Sequence, residues 1–139
     1  MPGHSLPVVL PVLLAALAAF LIGGLWYSPL LFAKAWVRAQ GYTPEKMAAM
    51  QAKAWRAYAG SCVAFLVMAW VLRLFLAHLR ADSASDGAVW AFHAWLGFAL
   101  PIGVMSYLYT DKPLALLLID TGYQLVYLTV MGAILGAWL

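Results

Sequence analysis

Four apolar runs divide the chain: Leu6–Tyr27, Ala57–Leu79, Gly87–Tyr107 and Leu114–Trp138. Each approaches or exceeds the ~20 residues that a helix needs to cross the hydrocarbon core of a bilayer. Polar residues gather between the runs. The first gap, residues 30–56, is long and interleaves Lys34, Arg38, Lys46, Lys53 and Arg56 with Trp36, Met47, Met50 and Trp55. The second gap, Arg80–Asp86, and the third, Tyr109–Pro113, are short. The pattern predicts an all-α membrane protein, a four-transmembrane-helix bundle forming one domain over residues 1–139, with an amphipathic segment between helices one and two.

Local signals refine this outline. Ser28-Pro29 ends or redirects the first helix. Gly41 closes one helical stretch, and Thr43, Pro44 and Glu45 supply a cap, a first-turn proline and an acid for the start of the next. From Thr43 on, Met47, Met50, Ala54 and Trp55 recur at helical spacing. They predict an amphipathic helix lying on the membrane and running into span two, with anionic lipid as the partner of residues 34–56. Pro101 falls inside the third run, where it removes a hydrogen bond and presses on the Gly97 carbonyl. A kink is expected there, with that carbonyl satisfied by a neighbour. Gly132 and Gly136 form a GxxxG, which marks close helix packing; its placement opposite the polar stripe of the same helix points to a second protomer.

Composition agrees with lipid as the solvent. Hydrophobic residues make up 66% of the 139 residues and charged ones 9%, against roughly 25% charged in soluble domains. The net charge of +3 is spread among aromatic and apolar positions without a dense basic run, which argues against nucleic acid as a partner. Cys62 is the one cysteine; it can form no internal disulfide and reads as a small packing residue. No Lys or Arg precedes the first run, and that run exceeds the ~7–15 residues of a signal-peptide core, so it reads as a retained helix.

Several segments resemble a known family. Gly24-Leu-Trp-Tyr-Ser-Pro-Leu-Leu-Phe32 followed by Lys34-Ala-Trp36 is similar to the opening signature of a bacterial membrane family known as domain of unknown function 1761. Trp95-Leu-Gly-Phe98, Gly122-Tyr123 and Met131-Gly-Ala-Ile-Leu-Gly136 resemble its closing half. The resemblance covers nearly the whole chain and implies the same length and span number, in a bacterial cytoplasmic membrane. It also leads one to expect Asn near position 120 and His where Gln124 stands, whereas this chain has Asp120 and Gln124. It carries no activity with it.

Polar residues inside spans are where chemistry is expected. Asp120, Tyr123, Gln124 and Tyr127 fall at i, i+3, i+4 and i+7 on span four and share one helical face. Asp120 lies six residues past Leu114, ~9 Å into the span. Pro101 and Gly97 lie at matching depth on span three, so an intramembrane polar cluster of these six residues is expected. A carboxylate there is either a proton or cation site or a buried acid hydrogen-bonded to tyrosines; at mid-span it costs ~2.5–3.5 kcal/mol to insert. Arg73, Trp90 and His93 form a second candidate cluster towards the other face. The remaining Trp and Tyr residues read as interfacial belts. His4, His78 and His93 are too scattered for a metal site, and no nucleophile–base or paired-carboxylate pattern appears, so no cofactor and no enzyme activity is expected. Two functions stay open: small-solute or ion permeation through an oligomer, and a non-transporting accessory subunit packed against a larger membrane complex.

Orientation follows from Lys and Arg. Five lie in the first gap and none at either end of the chain, which places that gap in the cytoplasm and both termini outside. Reporter fusions after Lys46 are expected to read as cytoplasmic and fusions after Ser85 or Leu139 as external; an external signal at Lys46 would reverse the assignment.

Overall fold

The computed structural model describes residues 5–139, with side chains from Val8 onward; His4 lies outside the described residues. The chain is helical throughout its spans: α1 (Ser5–Trp26), α2 (Ala33–Gln40), α3 (Pro44–Ala52), α4 (Ala54–His78), α5 (Ala84–Ala94), a π-helical turn (Trp95–Ala99), α6 (Leu100–Thr110) and α7 (Leu114–Ala137). Four helical stretches are long and apolar enough to cross a membrane, the third being the continuous run of α5, the π turn and α6. Together they mark a multi-pass membrane protein.

The helices are sorted by side-chain size. On α1 the inward positions are Val12, Ala15, Ala16 and Ala19, while Leu10, Leu13, Leu17 and Leu21 point outward. Small residues inside let backbones approach, and large ones outside meet lipid, which is as apolar as leucine. α7 is the central helix. It packs against α5, α1 and α4, whereas α4 touches α5 only sparsely. Tyr127, Met131 and Leu135 of α7 meet Phe65, Ala69, Leu72 and Leu76 of α4 and the alanine face of α1 in one core.

The tightest seam joins α5 to α7. A Cβ added at Gly132 would strike the Gly87 carbonyl, and one at Gly136 would strike the Ser83 carbonyl. Gly87 is closed off in turn by Gly132 and Gly136. The GxxxG face is therefore consumed inside the protein. This corrects the reading of Gly132 and Gly136 as a contact between protomers: α5 presents its own glycine and Ala91 to that face, and no room remains for another chain.

Two further expectations change. The surface segment is two short helices and not one helix flowing into span two. Gly41 adopts the left-handed conformation, φ 71°, that ends α2. Thr43 caps α3, accepting from the Lys46 N–H at 3.2 Å, and the helix breaks again at Lys53 before α4. The amphipathic element is α2, with Ala33, Trp36, Val37 and Gln40 half-buried at i, i+3, i+4 and i+7. α3 is exposed apart from Met47. At Pro101 the helix widens before the proline instead of merely bending: the Leu100 N–H reaches back to the Trp95 carbonyl, five residues away, and this π turn takes up the backbone mismatch. Gly97 and Pro101 both end up exposed. Cys62 is exposed as well.

The seam predicts its own test. Gly132→Ala should lower the thermal stability of the purified protein by the ~1–3 kcal/mol typical of overpacking, since the obstructing atoms are backbone and cannot rotate away. Gly60→Ala, on an exposed part of α4 where an added Cβ meets nothing, should leave the melting temperature unchanged or raise it. Equal effects at the two positions would contradict the packing.

Candidate functional site

Three tryptophans from three different elements aim their indole N–H groups at one turn of α7. Trp26, at the end of α1, donates to the Ile119 carbonyl at 3.0 Å. Trp36, on α2, donates to Asp120 Oδ1 at 3.2 Å. Trp95, opening the π turn, donates to the Thr121 carbonyl at 2.9 Å. A buried indole N–H needs an acceptor, and among apolar helices the free lone pairs of α7 supply it. This differs from the interfacial belt expected of these rings. They are instead the pins that hold α1, α2 and the π turn on residues 119–121.

Asp120 is half-buried at the centre of this arrangement. The Tyr27 hydroxyl donates to Oδ1 at 2.6 Å, alongside Trp36. The Tyr27 hydroxyl is thereby committed to Asp120 as a donor. The turn after α1 makes this reach: the Ser28 hydroxyl donates to the Leu25 carbonyl at 2.7 Å and the Phe32 N–H to the Trp26 carbonyl at 3.0 Å. The chain folds back so that the Tyr27 and Trp36 rings meet edge to face at 6.0 Å. On the far side, Lys112 Nζ donates to the Gln40 carbonyl at 3.2 Å. A lysine on the last carbonyls of α2 complements that helix end and ties the α6–α7 turn to the same face as α2.

The polar stripe of α7 divides. Tyr123 turns to α1, where its hydroxyl donates to the Ala19 carbonyl at 2.9 Å. That approach needs Gly23, since a Cβ there would lie 2.5 Å from the hydroxyl oxygen. Tyr127 is buried and packs edge to face with Phe65 at 5.2 Å. Asp120, Gln124 and Tyr127 line a cleft of about 680 Å³ between α4, α6 and α7. Tyr27, Tyr123, Gly23, Tyr58 and Ser61 line a second cleft of about 530 Å³ between α1 and α4. The Phe65–Tyr127 pair stands between the two.

Both donors converge on Oδ1. Among the described residues no buried side-chain nitrogen or oxygen lacks a partner, so Oδ2, which receives neither donor, keeps some accessible surface, and Asp120 is one of the residues lining the larger cleft. Gly97 and Pro101 do not join this cluster, because the π turn places both on the exposed side of span three; Tyr27 and Trp36 fill the place expected for the Gly97 carbonyl. Of the other candidate cluster, Trp90 and His93 pair at 5.5 Å and line a smaller cleft of about 210 Å³ between α4 and α5. Arg73 is half-buried on α4 and does not line that cleft.

A family model described as "Protein of unknown function (DUF1761)" matches residues 10–136. The chain belongs to the DUF1761 family. No curated protein and no solved structure matches it. Most of the segments that carried the resemblance build the Asp120 turn of this DUF1761 protein, while Met131–Gly136 builds the glycine seam: Trp26, Tyr27 and Trp36 are donors at the turn, Trp95 its third indole, and Gly122 receives the edge of the Trp26 ring, 3.3 Å from where a Cβ would stand.

Removing the Tyr27 donor should cost about 1–3 kcal/mol of stability by stripping a partner from a part-buried polar group. Tyr27→Phe should therefore destabilise the native protein but not an Asp120→Leu background, with a coupling energy of about 1 kcal/mol or more by double-mutant cycle. Additive losses would show that the hydroxyl and the carboxyl do not interact.

Proposed function

We propose that this protein is a small-solute or ion transporter of the bacterial cytoplasmic membrane, with Asp120 as its binding group and both termini outside. The observation that carries this reading is the divided carboxylate: Oδ1 is held by Tyr27 and Trp36, and Oδ2 is left outside those bonds on a residue lining a cleft of about 680 Å³. Ligand sites are usually concave, of ~300–1,000 Å³, mostly apolar, with a few placed polar groups.

Charge supports the orientation. Lys34, Arg38, Lys46, Lys53 and Arg56 share one face with Lys112, which is bonded to α2, and cytoplasmic loops are rich in Lys and Arg. Lys34 and Arg38 lie on the exposed side of α2, suited to anionic headgroups. The cleft then opens in the cytoplasmic half. Met131, Leu135 and Leu76, all fully buried, fill the core on its outer side. Access to Asp120 is from the cytoplasmic side in this conformation, and passage requires a second one, as in alternating access. An oligomer, if formed, does not use the glycine seam. The accessory-subunit reading differs in making the charge of Asp120 dispensable.

Proteoliposomes with a trapped pH dye, challenged with potassium or methylammonium gradients, test this. The native protein should carry a flux that Asp120→Asn abolishes while folding and assembly stay native. Full flux from the Asn variant would overturn the role of Asp120. No flux from the native protein with either probe would favour the accessory reading.

A further inference from the structure

The cleft at Asp120 does not end at the polar turn. It continues along α7 past Tyr127 to Leu128, eight residues and ~12 Å beyond Asp120 at the helical rise. Its walls there are Met68 of α4, Phe98 of the π turn and Ile102 of α6. The smaller cleft between α4 and α5 meets it at Ala94 and Phe98. The cause is the arrangement of helices. α5 is fixed to α7 by the glycine seam and α4 leans on α1, so a groove stays open between α4 and the third span. Trp95 occupies the inner side of the π turn, bonded to Thr121, which leaves Phe98 to line the groove at 67% exposure.

Asp120 is the one acidic side chain lining the larger cleft, with one carboxyl oxygen outside its hydrogen bonds; Lys112, which also lines the cleft, is tied to the Gln40 carbonyl. The geometry points to an amphiphilic amine as the ligand: a protonated or quaternary nitrogen against Asp120 Oδ2, and an apolar chain laid along Phe98, Ile102, Met68 and Leu128 towards Ala94. This rests on the assignment of Asp120 as the binding group and narrows the substrate from small cations in general to those with an apolar tail. A phospholipid acyl chain could fill the same walls but would have no use for the carboxylate.

Binding separates these cases. The full chain in zwitterionic nanodiscs is titrated with octylammonium, methylammonium and octanol, reading tryptophan fluorescence against empty nanodiscs. Octylammonium should saturate at a concentration about tenfold or more below either of the others, the scale expected of one charge-assisted hydrogen bond or a few buried methylenes. Asp120→Asn should weaken octylammonium by about tenfold or more. Ala94→Phe, which leaves Asp120 untouched, should weaken octylammonium and spare methylammonium; it also serves as the test should Asp120→Asn not fold. Octylammonium binding no tighter than methylammonium would overturn the amphiphile assignment while leaving Asp120 as a site for small cations. Octanol binding as tightly as octylammonium, with no response to Asp120→Asn, would assign the groove to lipid. Tight octylammonium binding without flux in proteoliposomes would overturn the transport reading alone.

Discussion

An indole N–H inside a lipid-embedded protein has few places to go, and the structure depends on where three of them go. Residues 119–121 of α7 receive Trp26, Trp36 and Trp95. Each donor comes from a different element, so a single turn of the central helix sets the position of α1's end, of the surface helix α2 and of the π turn. Carbonyls already engaged in the helix can accept a second hydrogen bond through their other lone pair, which lets a helix act as an acceptor without unwinding. Asp120 adds a side-chain acceptor at this turn, and it takes the indole donor that no carbonyl serves.

The protein is consequently built in two halves of different character. In the half nearer the α4–α5 turn, helices meet through Gly87, Ala91, Gly132 and Gly136 and through the alanines of α1. Contact there is between backbones, with little to rearrange. In the other half, helices meet through tyrosine and tryptophan side chains, and clefts open on both sides of the Phe65–Tyr127 pair. Much of the first part of α4 is exposed. Side-chain hydrogen bonds that reach across a gap fix distances without filling the space between helices. That is how the site is both held in place and left accessible.

The four spans were legible because each apolar run is long and the breaks between them are chemically distinct. Thr43, Pro44 and Gly41 likewise announced their caps, since capping is a local event decided by one or two residues. What the sequence concealed was direction. Periodicity placed Asp120, Tyr123, Gln124 and Tyr127 on one face, yet Tyr123 belongs to α1 and the others to the cleft, a division made by the absence of a side chain at Gly23. The tryptophans looked interfacial because position along a span is readable and rotation about it is not. The π turn shifted the register of everything after Trp95, so Gly97 and Pro101 face away from the cluster they were expected to join. Gly132 and Gly136 were recognisable as a contact, but their partner is Gly87, a lone glycine with no motif to advertise it.

Asp120 has two claims on a single carboxyl group. Oδ1 anchors α2 through Trp36, while Oδ2 receives neither donor. Under the proposed function, a cation drawn to Oδ2 would withdraw electron density from the same group that holds the indole, and a tighter grip by the indole would make the other oxygen a poorer acceptor. Such linkage is reciprocal by thermodynamic necessity. Under the proposed function α2, whose exposed side carries Lys34 and Arg38, would thereby be coupled to the occupancy of the Asp120 site, and the headgroup composition of the surrounding membrane would become a variable in the affinity of that site.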